Sequence, residues 1–71
     1  MKATQTLHFS PRQAEVLAGL ARGQKTREIA AELHLSPKTV ESYYGNLRHA
    51  LGLQGINQLI VYSVYHAIYD P

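Results

Sequence analysis

The 71-residue chain contains no cysteine and no long apolar run. The lack of cysteine excludes a disulfide-stapled scaffold and a thiolate metal site. The most apolar segment, 59–69, is interrupted by Ser63 and His66 and is too short to span a bilayer. The polar start, 1–6, lacks the apolar core of a secretory signal. We therefore expect a single cytoplasmic domain with no membrane partner.

Positive charge is missing from the last third of the chain. All seven Lys and Arg residues lie before residue 49, so 1–48 carries 7 − 4 = +3, whereas 49–71 carries only Asp70. The total of +2 and the pI near 9.2 permit a nucleic-acid partner without requiring one. The tyrosines all lie in the second half, which suggests two surfaces with two tasks: Tyr43, Tyr44, Tyr62, Tyr65 and Tyr69.

Local signals predict four helices and no strand, so the expected fold class is all-α. Helix one begins at Ser10-Pro11, because serine caps an orphan backbone N–H and proline suits the first helical position. Gln13 completes a capping box. Gly23 is a candidate left-handed stop, and the inward face is formed by Val16, Leu17 and Leu20.

Helices two and three are joined by a very short turn. We predict that Thr26 caps helix two over 27–33 and that His34 adopts the left-handed conformation after it. Ser36 and Pro37 open helix three, which ends near Leu51 before Gly52. Its inward stripe is predicted to be Val40, Tyr44, Leu47 and Leu51.

Helix four is expected over about 57–69. Projection at 100° per residue predicts a core face made of Ile60, Ser63, Val64 and Ala67. The opposite face is interpreted as a dimer interface made of Gln58, Tyr62, Tyr65 and Tyr69, since tyrosine is enriched at interfaces. Exposed rings without a partner, or docking on another domain, are the alternatives.

The two helices with their tight turn form a helix-turn-helix pattern. A helix that enters the major groove, about 12 Å wide, needs short or flexible polar side chains on its outer face. Helix three presents such a set: Lys38, Thr39, Glu41, Ser42, Gly45 and Asn46. Lys25 and Arg27, at the start of helix two, are placed to hold phosphates. Gly45 in mid-helix lowers helix stability, which suggests that the helix backbone approaches another group closely at this position.

These residues resemble the LuxR-type DNA-binding domain, the four-helix effector domain of NarL/FixJ response regulators and quorum-sensing regulators. The resemblance covers about 8–68 and is carried by FSPRQAEVL at 9–17, Gly23, EIAAEL at 28–33, SPKTVE at 36–41, NL at 46–47 and LGL at 51–53. It implies a four-helix bundle over 9–69 after a flexible segment at 1–8. It also implies a bacterial transcription regulator whose helix at 37–51 enters the major groove of double-stranded DNA and whose fourth helix forms a homodimer.

The resemblance carries roles onto matching positions of this chain. Phosphate contacts fall on Lys25, Thr26, Arg27, Lys38 and Thr39. Base contacts fall on Glu41, Ser42 and Gly45, with Asn46 close by. Family members usually carry an N-terminal receiver or ligand-binding domain, so the parent chain is expected to contain one unless this is a free-standing example.

Several departures remove positive charge from the predicted DNA-facing helix. Glu41 stands where the family usually has lysine or arginine, and His49-Ala50 replaces a basic pair. Either the domain reads a cytosine-containing site through Glu41, or its DNA affinity is weak and depends on dimerisation. Glu41 could instead pair with Lys38 or Arg48. The rival functions are a protein-interaction module with weak or no DNA binding and a DNA-independent dimerisation domain.

Catalysis and cofactor binding are not expected. The histidines show no metal-ligand spacing, and no serine has a neighbouring base: His8, His34, His49 and His66; Ser10, Ser36, Ser42 and Ser63. No glycine-rich phosphate loop is present. We therefore predict no enzyme activity, no metal and no cofactor.

Overall fold

The computed structural model describes residues 8–69. They form four helices: α1 (Pro11–Ala21), α2 (Thr26–Leu33), α3 (Pro37–Leu51) and α4 (Ile56–Tyr69). No strand occurs within 8–69, which confirms the predicted all-α class. All but the last residue of the predicted flexible segment lies outside the described residues. The proposed domain limits therefore remain predictions.

The predicted start of α1 is confirmed. The Ser10 hydroxyl accepts a hydrogen bond from the Gln13 backbone N–H at 3.1 Å. In return, the Gln13 side-chain oxygen accepts from the Ser10 backbone N–H at 2.9 Å. Two orphan donors are thereby satisfied, which stabilises a helix start. At the other end the chain leaves α1 through Gly23, whose φ of 79° lies in the left-handed region.

The predicted cap of α2 is wrong by one residue. Lys25 is the N-cap, and its backbone N–H donates to the Glu28 carboxylate at 2.7 Å. Thr26 is the first residue within the helix, so its side chain does not act as the cap. Its hydroxyl instead forms a hydrogen bond with the Tyr44 hydroxyl of α3 at 3.2 Å. A contact 18 residues away thus replaces the local one.

The turn between α2 and α3 has the predicted conformation. His34 adopts φ 58° and ψ 42°, the left-handed conformation that ends a helix. Leu35 then packs against the core, and the Ser36 hydroxyl accepts from the Thr39 backbone N–H at 3.1 Å. The connection between α2 and α3 is consequently short, with the left-handed His34 at one end and the Ser36 cap at the other.

The core lies among all four helices. Val40, Tyr44 and Leu47 are buried, and Leu51 packs against the core, as the predicted α3 stripe required. The core residues are Val16, Leu17, Leu20, Ile29, Ala30, Val40, Tyr44, Leu47 and Leu59. Sequence reasoning missed Gly19, which lets α1 and α2 cross closely. A Cβ atom there would lie 2.7 Å from Ile29 Cγ1.

The predicted core face of α4 is correct for Ser63 and wrong for its other three residues. Leu59 and Ser63 are buried, whereas Ile60 and Val64 are 37% and 40% exposed. Ala67 is also exposed, while Tyr62 packs against the core. The helix is rotated by about 100°, or one residue, from the predicted orientation.

Two contacts explain this rotation. Phe9, from the segment before α1, packs against the Tyr62 and His66 rings with centroid distances of 6.3 and 5.4 Å. The Ser63 hydroxyl donates to the Ile60 carbonyl at 2.6 Å, so a polar residue is buried without losing its hydrogen bond. Aromatic packing of Tyr62 therefore replaces burial of Ile60 and Val64.

Candidate nucleic-acid interface

The outer face of α3 holds polar side chains that the core does not use. Lys38, Glu41, Ser42 and Asn46 are all exposed. Gly45 lies between them, and a Cβ atom built there would meet only the Arg48 guanidinium, at 4.0 Å. Packing inside the domain therefore does not require glycine at this position. The side chains that were predicted to face DNA share one open surface.

The first turns of α3 carry hydroxyl groups that bond within the helix. The Ser36 and Thr39 hydroxyls are 2.9 Å apart, and the Ser42 hydroxyl donates to the Lys38 carbonyl at 3.2 Å. These residues are exposed, so the hydroxyl groups lie at the surface. The N-terminal end of a helix also favours anions through its free N–H groups and dipole.

The start of α2 lies against the middle of α3. The Thr26–Tyr44 hydrogen bond joins the two helices, and the two residues that flank Thr26, Lys25 and Arg27, are exposed. Two exposed cations therefore lie at the end of α2 that contacts α3. Thr26 itself is half-buried, and its hydroxyl is engaged with Tyr44.

Charges on this surface are not used inside the domain. Among residues 8–69 the ion pairs are Arg12–Glu15 at 3.2 Å and Arg22–Glu32 at 3.6 Å. Neither pair includes a residue of the α2 start or the outer face of α3. In particular, the described residues show no ion pair from Glu41 to Lys38 or Arg48, which were the alternative partners considered above.

The predicted dimer residues on α4 do not share one environment. Tyr65 and Tyr69 are 59% and 70% exposed, with ring centroids 4.7 Å apart. Gln58 is exposed, and its side-chain oxygen accepts from the Gln54 backbone N–H at 2.7 Å. Tyr62 is half-buried and packs against the core, so it is the least exposed of the three tyrosines.

Sequence reasoning missed the exposed aliphatic residues of α4. Val61, Val64 and Ile68 lie on the surface with Tyr65 and Tyr69. An open apolar concavity of about 470 Å³ lies beside them, and it is lined by Leu53, Asn57, Gln58, Val61, Tyr62 and Tyr65. Projection of α4 with the observed face, rather than the assumed one, would have identified them.

Other kinds of site have no counterpart in the part of the chain that the structure describes. Residues 8–69 contain no cluster of three His, Cys, Asp or Glu side chains that could hold a metal ion. None of the helices described is long and apolar enough to cross a membrane. The surface formed by the α2 start and the outer face of α3 is therefore the candidate site.

Two capped helices joined by a left-handed turn, with an exposed polar face on the second, define a helix-turn-helix domain. The chain belongs to the LuxR family of bacterial regulatory proteins: the GerE family, described as bacterial regulatory proteins of the luxR family, matches residues 7–63. This is a family of DNA-binding regulators of transcription rather than enzymes, as the resemblance implied.

Curated relatives agree with this family. The chain is 41% identical over 60 residues to the Fimbriae Z protein of Salmonella typhimurium, covering 84% of this chain and 29% of that protein. It is 34% identical over 60 residues to the response regulator UvrY of Escherichia coli, with 84% and 28% covered. It is 33% identical over 64 residues to the probable HTH-type transcriptional regulator GfsR of Streptomyces halstedii, with 90% and 26% covered.

The chain thus spans less than a third of the length of these relatives. No solved structure gives a significant match.

Proposed function

We propose that this domain binds double-stranded DNA sequence-specifically, with α3 in the major groove and α4 forming a homodimer. One observation carries the proposal. The outer face of α3 presents exposed polar side chains that neither the core nor an ion pair among residues 8–69 uses, and two exposed cations lie at the start of α2, which is joined to α3 by the Thr26–Tyr44 hydrogen bond. Major-groove reading by a recognition helix requires such a face, and positioning requires phosphate contacts near it.

Phosphate contacts are assigned to the cations that flank the groove-facing surface. Lys25 and Arg27 hold one backbone segment from the start of α2, and Lys38 and Thr39 hold another from the first turn of α3. Thr26 contributes indirectly, because its hydrogen bond to Tyr44 sets the position of its two neighbours. Base edges are then met by Glu41, Ser42, Gly45 and Asn46.

Pairing of two copies is assigned to α4. Tyr65, Tyr69 and Gln58 supply exposed area, and the partly exposed side of Tyr62 lines the apolar concavity between them and Leu53. A two-fold axis at this surface would present two α3 helices to half-sites about one helical turn, or about 34 Å, apart.

The relatives also suggest what the parent chain contains. UvrY is called a response regulator, and this chain matches only 28% of it. We therefore propose that the parent protein carries a receiver or ligand-binding domain before this domain. We also propose that it acts on chromosomal DNA in the cytoplasm, at the bacterial nucleoid.

An anisotropy titration of random-sequence duplex DNA at about 50 and about 200 mM salt tests the proposal. Three phosphate-neutralising cations predict, for each bound copy, a slope of log K against log salt near −2.7, or roughly a 40-fold loss of affinity across this range. Arg27→Ala is expected to flatten the slope by about 0.9 for every sequence alike.

Arg12→Ala is the matched control, since it removes the same charge from a guanidinium that already pairs with Glu15 on α1. We expect it to leave the slope unchanged. Absence of binding at low salt would overturn the proposal and favour the protein-interaction module. A loss from Arg12→Ala equal to that from Arg27→Ala would contradict the assigned surface.

A further inference from the structure

We infer that Glu41 is the specificity-determining residue of this domain and that it selects a cytosine in the DNA site. The inference rests on the proposed DNA binding and states what that binding recognises. Glu41 is the fifth residue of α3 and is exposed near the N-terminal half of the helix. This is the part of a recognition helix that contacts base edges.

The Glu41 carboxylate is not engaged by any other side chain of the described domain. Within residues 8–69 it has no hydrogen bond and no ion pair, although Lys38 and Arg48 lie on the same helix. The neighbouring Ser42 hydroxyl, by contrast, donates to the Lys38 carbonyl at 3.2 Å. Glu41 is consequently the longest unengaged acceptor on this part of the surface.

The helix surface next to the Glu41 carboxylate is open. Gly45 follows Glu41 by four residues, so the two positions lie one above the other on the helix. Nothing but the Arg48 guanidinium would come within 4.0 Å of a Cβ atom at Gly45. The helix backbone can therefore approach base pairs closely at this point. The Glu41 carboxylate then comes within reach of a base edge.

The major groove offers a carboxylate few favourable partners. A carboxylate only accepts hydrogen bonds, and phosphates repel it, so it is favourable there only against an exocyclic amino group. The two candidates are cytosine N4 and adenine N6. Adenine N6 lies between two acceptors in the groove, its own N7 and the O4 of the paired thymine, and both repel the carboxylate. Cytosine N4 has an acceptor on one side only, the O6 of the paired guanine, and a C–H group on the other. Glu41 therefore favours cytosine over the other three bases.

The test is selection from a random duplex pool, carried out in parallel with the wild-type domain and Glu41→Gln. The wild-type site is expected to contain one fixed cytosine in each half-site, and replacing one such C·G pair is expected to weaken binding by about 5- to 150-fold. Glutamine donates and accepts, and it pairs with adenine N6 and N7. The same position is therefore expected to change from cytosine to adenine in the Glu41→Gln selection.

Glu32→Gln is the matched control. It removes one carboxylate charge from α2, where Glu32 is exposed and lies 3.6 Å from Arg22. We expect the selected site of this variant to equal that of the wild type. Circular dichroism of the variants verifies that each is folded.

The outcomes separate the two proposals. A fixed cytosine that becomes adenine only in Glu41→Gln supports the inference. A selected site without a fixed cytosine, or one that Glu41→Gln leaves unchanged, overturns the inference while DNA binding stands. Lack of binding to any duplex overturns the proposed function and this inference together.

Discussion

The helices α3 and α4 have nearly equal lengths, 15 and 14 residues, but their sequences specify their orientation to different degrees. In α3, apolar residues occupy one stripe and polar residues the rest, so only one face can be buried. In α4, Val61, Val64 and Ile68 add an exposed apolar surface on the side away from the buried Leu59, so more than one face is hydrophobic. Hydrophobic periodicity predicts which face of a helix is buried only where polar residues make burial of its other faces unfavourable.

The largest expected effect tests the orientation of α4. Leu59→Ala removes a fully buried side chain and is expected to lower the free energy of unfolding by about 2–5 kcal/mol. Ile60→Ala, one residue further, removes a side chain that is 37% exposed and is expected to lower it by about 1 kcal/mol. Thermal and urea unfolding of both variants measure the difference. A larger loss from Ile60→Ala would mean that the sequence-based orientation is correct.

A smaller effect compares the glycines of α1 and α3. Gly19→Ala places a methyl group 2.7 Å from Ile29 Cγ1, and we expect a loss of about 1–3 kcal/mol from overpacking. Gly45→Ala meets open space and is expected to stabilise α3 by about 1 kcal/mol, because alanine is the better helix former. Urea unfolding tests both signs. Destabilisation by Gly45→Ala would show that glycine has a packing role there after all.

The smallest effect on folding, and the one most informative about α4, is expected from Tyr65→Glu. Tyr65 is 59% exposed, so its replacement is expected to change the free energy of unfolding by about 0.5 kcal/mol or less. A charge in the proposed interface is nevertheless expected to shift the domain toward monomer in sedimentation equilibrium. Glu41→Lys on α3 is the control, and we expect it to leave self-association unchanged. Unaltered sedimentation of Tyr65→Glu would remove this face as the dimer surface.

Features of the fold that depend on a few neighbouring residues were predictable. The reciprocal bonds of Ser10 and Gln13, the cap at Ser36 and the left-handed His34 each follow from chemistry within three or four residues. The α3 stripe was predictable because its polar and apolar residues are cleanly separated. The identity of the candidate DNA-facing surface follows directly from that stripe, since the outer face is what remains.

Features that depend on distant residues were not predictable in the same way. Either Lys25 or Thr26 could be the N-cap of α2 by local sequence alone. In the structure the Thr26 hydroxyl is hydrogen-bonded to Tyr44 of α3 instead. Tyr62 is half-buried because Phe9, far away in sequence, packs against it. The close crossing at Gly19 depends on Ile29 in the next helix. Local patterns contain no information about these partners, and so sequence reasoning placed Tyr62 and Thr26 incorrectly.

The hydrogen bond between Thr26 and Tyr44 has a thermodynamic consequence for recognition. It joins the start of α2, where two exposed cations lie, to α3 within the free domain. In the proposed complex, the α2 cations and the outer face of α3 therefore bind the duplex as one preformed unit rather than as two parts that must be aligned on it. Preorganisation of this kind reduces the conformational entropy lost on association, so more of the contact energy remains as affinity.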